Sequence, residues 1–158
     1  MIEKEQVNLT IDNLDKSILN LLQADGKLSY AEIGKQLFCS AGTVHVRMKK
    51  MEKEGIIKKQ ELKVNYKKLG YDIEAFLGIY LTSSLKYDEV AKQLNTVKEV
   101  LSLHYTTGAY SMFAKIVCKD TIHLMDVLHT KIQSIEGVQR TETLISLKEN
   151  IDRPLVLE

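Results

Sequence analysis

The sequence predicts an α+β chain in two parts, a three-helix N-terminal unit and a C-terminal β-α-β-β-α-β unit. Three observations carry that expectation. Apolar residues recur at helical spacing through the first third of the chain. Alternating and helical patterns then interleave through the remainder, and a strongly basic stretch is confined to the region where the two parts meet.

The first helical pattern places Leu14, Ile18, Leu21 and Leu22 on one face, with Asn13 positioned to cap it and Ala24-Asp25-Gly26-Lys27 breaking it. Ser29 to Glu32 reads as a capping box, in which hydroxyl and carboxylate satisfy each other's free backbone donors, and Ile33 and Leu37 give the short second helix its apolar face. Ser40 can cap a third helix running to Glu54, where Gly55 supplies a left-handed stop. Two helices joined by a short turn form the unit that sets its second helix into the DNA major groove.

That third helix has two faces. Val44, Met48 and Met51 form an apolar stripe, while Gly42, His45, Val46, Lys49, Lys50 and Lys53 lie opposite. Its first turn is small and polar, which lets a helix N-terminus approach phosphates and base edges. Ser40, Gly42, Thr43, His45, Val46, Arg47, Lys49 and Lys50 are therefore the candidate DNA-binding residues. Arg47 stands on the flank of the stripe, where a phosphate contact and an internal salt bridge are both open to it. Ile56 to Tyr66 alternates polar and apolar residues and reads as an extended wing and linker, so the expected domains are residues 1–66 and 67–158.

Charge agrees with this placement. The formal net charge is +1, yet residues 40–68 carry nine basic and three acidic side chains, a local +6. Such a segment in an otherwise acidic chain suits a polyanion. The N-terminal stretch MIEKEQVNLT is polar rather than basic and then apolar, and no run approaches the length of a membrane span, so a cytoplasmic location is expected. Cys39 and Cys118 lack CxxC spacing, so neither a disulfide nor a zinc site is expected.

In the second part, Glu74 to Leu81 alternates, with Ala75, Leu77, Ile79 and Leu81 on one face and Phe76 and Tyr80 on the other. Val90, Leu94 and Val97 mark a helix, Val100 to Thr106 and Met112 to Cys118 a hairpin, Thr121 to Ile135 a second helix, and Val138 to Leu147 a last strand. This is the ferredoxin-like order, with two helices on one sheet face and the other face bare. Dimerisation through the bare face is expected. No catalytic or phosphate-cradling motif is present, so no enzymatic activity, metal or cofactor is expected. The distinctive segment is Tyr105-Thr106-Thr107-Gly108-Ala109-Tyr110-Ser111, read either as a hairpin loop whose hydroxyls serve their own backbone or as a small-molecule site.

The segments LDKSILNLLQADGKLSYAEIGKQL, CSAGTVHVRMKKMEKEGII and VNYKKLGYDI resemble the N-terminal half of the leucine-responsive/asparagine-type (Lrp/AsnC, feast/famine) transcription regulators, and TTGAYSMF and IQSIEGVQRTETLI look especially like the asparagine-responsive branch. The similarity runs over about residues 12–150. It implies a winged helix-turn-helix (three-helix) domain joined by a β linker to a ferredoxin-like regulator-of-amino-acid-metabolism (RAM) domain, double-stranded DNA as partner, and a homodimer assembling to a homo-octamer. It also implies an amino acid effector held by Thr106, Thr107, Gly108, Tyr110 and Ser111, with Glu142 and Thr143 from a neighbouring strand, and asparagine as first candidate. Many relatives carry Asp where Ser111 stands, so either another acid such as Glu142 holds the ammonium group or the effector differs. The rival readings are an architectural DNA-wrapping protein that takes no effector and, against the grain of the basic, capped helix-turn-helix, an enzyme or pathway subunit whose ferredoxin-like half is an allosteric module.

Overall fold

The computed structural model describes residues 11–59 and 61–158. The polar N-terminal decapeptide and Gln60 of the expected ribbon therefore lie outside the described residues. The chain divides into two compact units, one comprising the residues up to Leu62 together with Ile151–Glu158, the other Lys63–Asn150. The tail thus belongs to the first unit, although the sequence pattern leaves it with the second.

In the first unit, α1 (Asn13–Ala24), α2 (Tyr30–Gln36) and α3 (Ala41–Lys53) close around Ile18, Ile33, Val44, Met48 and Met51, all buried. The start of α1 is displaced by one residue from the expectation: Asp12, not Asn13, is the cap. Its carboxylate accepts from the Asp15 amide at 2.9 Å while Asp15 reaches back to the Asp12 amide at 3.2 Å, a capping box built from two aspartates. Ser29 and Glu32 form the expected box on α2, and the Ser40 hydroxyl accepts from the Thr43 amide at 3.0 Å on α3.

Arg47 ties these elements together. Its guanidinium lies 2.6 Å from the Asp12 carboxylate and 2.8 Å from that of Asp15, whose side chain is almost wholly buried. Both neighbouring carboxylates raise the Arg47 pKa, Asp15 first, and the Arg47 hydrogen bond is the main cause of the lowered Asp12 pKa. In the turn between α2 and α3, Phe38 adopts φ 54° with its side chain 97 % exposed. A non-glycine residue there bears a steric cost that its ring does nothing to offset. Residues 56–65, expected as an extended ribbon and β linker, form no strand among the described residues. Leu62 and Val64 stay exposed because a strand needs a hydrogen-bonding neighbour and none stands beside them among the described residues.

The second unit is a four-stranded antiparallel sheet in the order β2-β3-β1-β4. The strands are β1 (Ile73–Leu81), β2 (Val100–Tyr105), β3 (Met112–Cys118) and β4 (Val138–Ile145), joined by α4 (Tyr87–Leu94) and α5 (Thr121–Asp126). Helix α5 does not continue as a regular helix to Ile135 but widens into a π turn over Val127–Ile132. Ala75, Leu77, Ile79 and Leu81 point to the helices and join Val90, Leu94, Met112, Ala114, Ile116, Leu124, Val127 and Ile132 in the core.

Two substitutions test this account of the first unit. Phe38→Gly should raise stability by about 0.5–1 kcal/mol, read as a higher denaturation midpoint, since it relieves the left-handed strain of a side-chain-bearing residue and removes a ring that buries almost nothing. Arg47→Met keeps the aliphatic stem but strips a buried carboxylate of its cation. The expected loss is about 1–3 kcal/mol, and an unchanged midpoint would show that the guanidinium contributes nothing to the fold.

Candidate functional site

Two groups of residues gather the candidate chemistry. On α3, Ser40, Gly42, His45, Val46, Lys49 and Lys50 are exposed and Thr43 is half-buried, as expected of a face turned away from the Val44–Met48–Met51 stripe. Gly42, Thr43, Val46, Arg47 and Lys50 line a cleft of about 500 Å³ together with Asp12. The sequence pattern gave no reason to include Asp12 in this surface. The His45 ring sits 5.7 Å from the Tyr30 ring, so α2 supports the side chain at the outer face. Arg47 is placed differently from the rest: its guanidinium is engaged by the two aspartates of α1.

The second group lies on the sheet face opposite the helices. Gly78, at the middle of β1, pairs with Phe113 of β3 and Glu142 of β4. A Cβ at Gly78 would come within 2.5 Å of the Tyr110 ring, so the absence of a side chain is what lets that ring lie across the strand. There the Tyr110 hydroxyl donates to Glu142 Oε2 at 2.9 Å, and the Tyr80 hydroxyl donates to Glu142 Oε1 at 3.0 Å. Arg140 donates to the same Oε1 at 2.6 Å and stacks 3.5 Å over the Tyr80 ring.

Tyr110, Arg140 and Tyr80, in that order, hold the Glu142 carboxyl below its ordinary pKa. The Tyr110 hydroxyl is pushed up, chiefly by its bond to the same carboxylate. Of the four lone-pair positions of a carboxylate, these three donors leave one open on Oε2. A row of half-buried aromatic rings continues the face, with Phe76 stacked on Phe113 at 5.9 Å and Tyr110 6.0 Å from Phe113.

The loop before β3 is self-supporting. The Thr106 amide donates to the Ser111 carbonyl at 3.2 Å, the Thr106 hydroxyl to the Tyr110 carbonyl at 2.8 Å, and the Ser111 amide to the Ile79 carbonyl at 3.0 Å. Gly108 turns at φ 102° in open space, a conformation that a Cβ would strain even without a clash. The structure therefore brings Tyr110 and Glu142 together and anchors Thr106 and Ser111 beside them. Thr107 stays exposed at the tip, and Thr143, paired with Leu77, projects from the helix-covered face instead.

Sequence reasoning missed Tyr80, Arg140 and Gly78. It had placed Tyr80 on the bare face, but only the β1–β4 register reveals the charged pair opposite it. It also missed Glu99, which is 2 % exposed and bonded to Lys131 at 2.8 Å and His123 at 3.3 Å. His123 Nδ1 accepts the Lys119 amide at 3.1 Å, so in the neutral ring the proton is on Nε2 and faces the carboxylate. The other carboxylate oxygen, Oε2, is buried without a partner among the described residues. Cys118 is buried nearby, and burial pushes its thiol up to about 11, which makes it unreactive. No group of three or more metal-ligating side chains occurs among the described residues. Among them, too, no helix is long and apolar enough to cross a membrane.

Comparison with known proteins follows the same division. A winged helix-turn-helix DNA-binding family matches residues 11–58, and the Lrp/AsnC ligand binding domain matches residues 74–156. The chain is 44 % identical over 148 residues to the Escherichia coli (strain K12) "Regulatory protein AsnC", covering 94 % of this chain and 97 % of that one. It is 45 % identical over 145 residues to the Haemophilus influenzae protein of the same name, covering 92 % and 97 %. The solved structure of E. coli AsnC superposes with a TM-score of 0.87 at 43 % identity, covering 93 % of this chain and 99 % of that one. Homologues of this kind are transcription regulators rather than enzymes, and the chain, with its DNA-binding and ligand-binding domains in the same order, belongs to the Lrp/AsnC family of transcription regulators.

Proposed function

We propose that this regulator binds DNA sequence-specifically and that a small neutral amino acid, asparagine first, modulates its DNA binding or its assembly. The first unit carries the DNA contacts, through Ser40, Gly42, Thr43, His45, Val46, Lys49 and Lys50. The second unit carries the effector site and the contacts between copies, in a homodimer that assembles to a homo-octamer in the cytoplasm. The observation that carries the effector reading is the Glu142 node: a carboxylate held ionised by two tyrosines and an arginine, with one acceptor position open, beside the Gly108 turn. An ammonium group suits that position. Backbone amides and hydroxyls of Thr106 to Ser111 suit an α-carboxylate and an uncharged polar side chain, and with Arg140 already beside the carboxylate a strongly basic effector is disfavoured. Thr143, on the other sheet face, is set aside from this site, and Arg47 is read as holding the fold rather than DNA.

On this reading an effector acts only through the difference in its affinity for two assemblies or arrangements. L-Asparagine should raise the melting temperature in proportion to the logarithm of its concentration above saturation, and none of the other amino acids should do so more strongly. Glu142→Gln should abolish that rise while the protein still folds. A set of twenty amino acids none of which shifts the melting temperature would favour the architectural reading instead. Because the folded pKa of Glu142 is depressed, the carboxylate is ionised throughout the neutral range and asparagine binding should be flat there. It should fail only in acid, below the ordinary glutamate range, as the carboxyl takes up its proton.

For DNA, the double variant Lys49→Ala/Lys50→Ala should weaken binding to operator and random duplex alike. The log–log salt slope should become shallower by about 0.9 for each phosphate no longer neutralised. His45→Ala should instead erode the preference for operator over random DNA. Equal slopes in parent and double variant would take the two lysines out of the interface.

A further inference from the structure

The tail Ile151–Glu158 clusters with the first unit although it follows the second in the sequence. It is held by a specific contact. Asn20, on α1, faces the Leu157 peptide with its whole carboxamide: Nδ2 donates to the Leu157 carbonyl at 2.9 Å, and the Leu157 amide donates to Oδ1 at 2.9 Å. This two-point pairing is what one strand offers another, supplied here by a side chain, and asparagine alone among residues of its length carries donor and acceptor together. One turn earlier on the same face of α1, the Lys16 ammonium donates to the Glu158 backbone carbonyl. Leu157 is half-buried, whereas Ile151, Leu155 and Val156 remain 73 %, 76 % and 71 % exposed.

We propose that the outer face of α1 around Lys16 and Asn20 is a docking site for this chain's own C-terminal segment, and that the docked segment acts as a latch on the DNA-binding unit. The proposal rests on reading the first unit as the DNA-binding one. The other connection of that unit, residues 56–65, has no strand or helix among its described residues. An irregular connection leaves a unit free to reorient, and a second attachment removes much of that freedom. The latch is continuous in the chain with β4, the strand that bears Glu142 and Arg140. Because both recognition bonds are made to the peptide group of Leu157 rather than to its side chain, the site selects an extended segment at the right distance along the chain.

The test uses the full-length oligomer. Amide hydrogen exchange at Leu157 should be at least about tenfold slower than in an unstructured peptide of the same sequence. Asn20→Ala and Asn20→Asp should both return it to the unprotected rate, the second because a carboxylate cannot donate to the Leu157 carbonyl. The paired amides of β1 and β3 should keep their protection in both variants. An unprotected Leu157 in the parent, or protection unmoved by either variant, overturns the docking. To identify the occupant, a variant carrying Ala24→Cys, Val156→Cys and Cys39→Ser, which keeps Asn20 and the Leu157 peptide, is joined with a short bismaleimide, run on a denaturing gel and digested for mass spectrometry. A bridged pair of peptides from positions 24 and 156 in the band at one chain's mass supports the intrachain latch, and the same pair found only in a band at twice that mass overturns it in favour of a second copy. Finally, a dye on Lys53→Cys, in a Cys39→Ser background, should show a faster component of anisotropy decay when Asn20→Ala is added. An identical decay overturns the restraint. Absence of DNA binding or of an amino acid response in the parent would remove the functional reading and leave these exchange rates and decays as they are.

Discussion

The second unit depends on the pairing register of one strand. β1 is hydrogen-bonded on both sides, to β3 and to β4, so each residue from Ala75 to Ile79 has a fixed neighbour to left and right. That register sets Gly78 between Phe113 and Glu142, leaves room over Gly78 for the Tyr110 ring, and places Tyr80 beside Arg140. Side chains alternate along a strand, so a slip of one residue between β1 and β4 would send Glu142 to the helix-covered face, away from Tyr80 and Tyr110. The hydrophobic alternation of Ala75, Leu77, Ile79 and Leu81 therefore does more than fill a core: by fixing which face of β1 is buried, it decides where the charged node forms.

The first unit shows a comparable economy with charge. The sequence offers a single arginine on α3, the residue type best suited to phosphate or base recognition. The fold uses it to hold the start of α1 through Asp12 and Asp15. The positive charge left for the outward face comes from lysines, which are compact, strongly hydrated and poor at bidentate reading. On the proposed reading, affinity on such a face leans on phosphate neutralisation, and sequence preference falls to Thr43, His45 and Val46 and to DNA shape.

Much of the fold is legible in the sequence because it is written in periodicities. The three helices, the two-faced α3, the alternating β1 and the ferredoxin-like order all follow from which positions are apolar. What escaped was set by tertiary partners. Asn13 and Asp12 are both of residue types that cap helices, and the reciprocal bonds with Asp15 together with the Arg47 guanidinium make Asp12 the cap. Ile56 to Tyr66 alternates as a strand should, yet alternation without a neighbour to pair with gives no strand among the described residues. The resemblance brings Glu142 and Thr143 together as contributors from one strand, but adjacent residues of a strand face opposite ways, and only the β1–β4 register shows which of the two lies on the Tyr110 face. The Lys131–Glu99–His123 cluster was invisible because it depends on the π turn of Val127–Ile132 and on a loop contact made through the Lys119 amide.

The discontinuity of the first unit has a bearing on how the protein is made. Asn20 and Leu157 are 137 positions apart. At translation rates of roughly 5–20 residues per second, Leu157 is polymerised about 7 to 30 s after Asn20. Helices α1 to α3 can pack around their own core in that interval, while the carboxamide of Asn20 has only water for a partner until Leu157 has emerged. A nascent chain that stops short of Leu157 therefore presents the helix-turn-helix unit with this pairing still unmade.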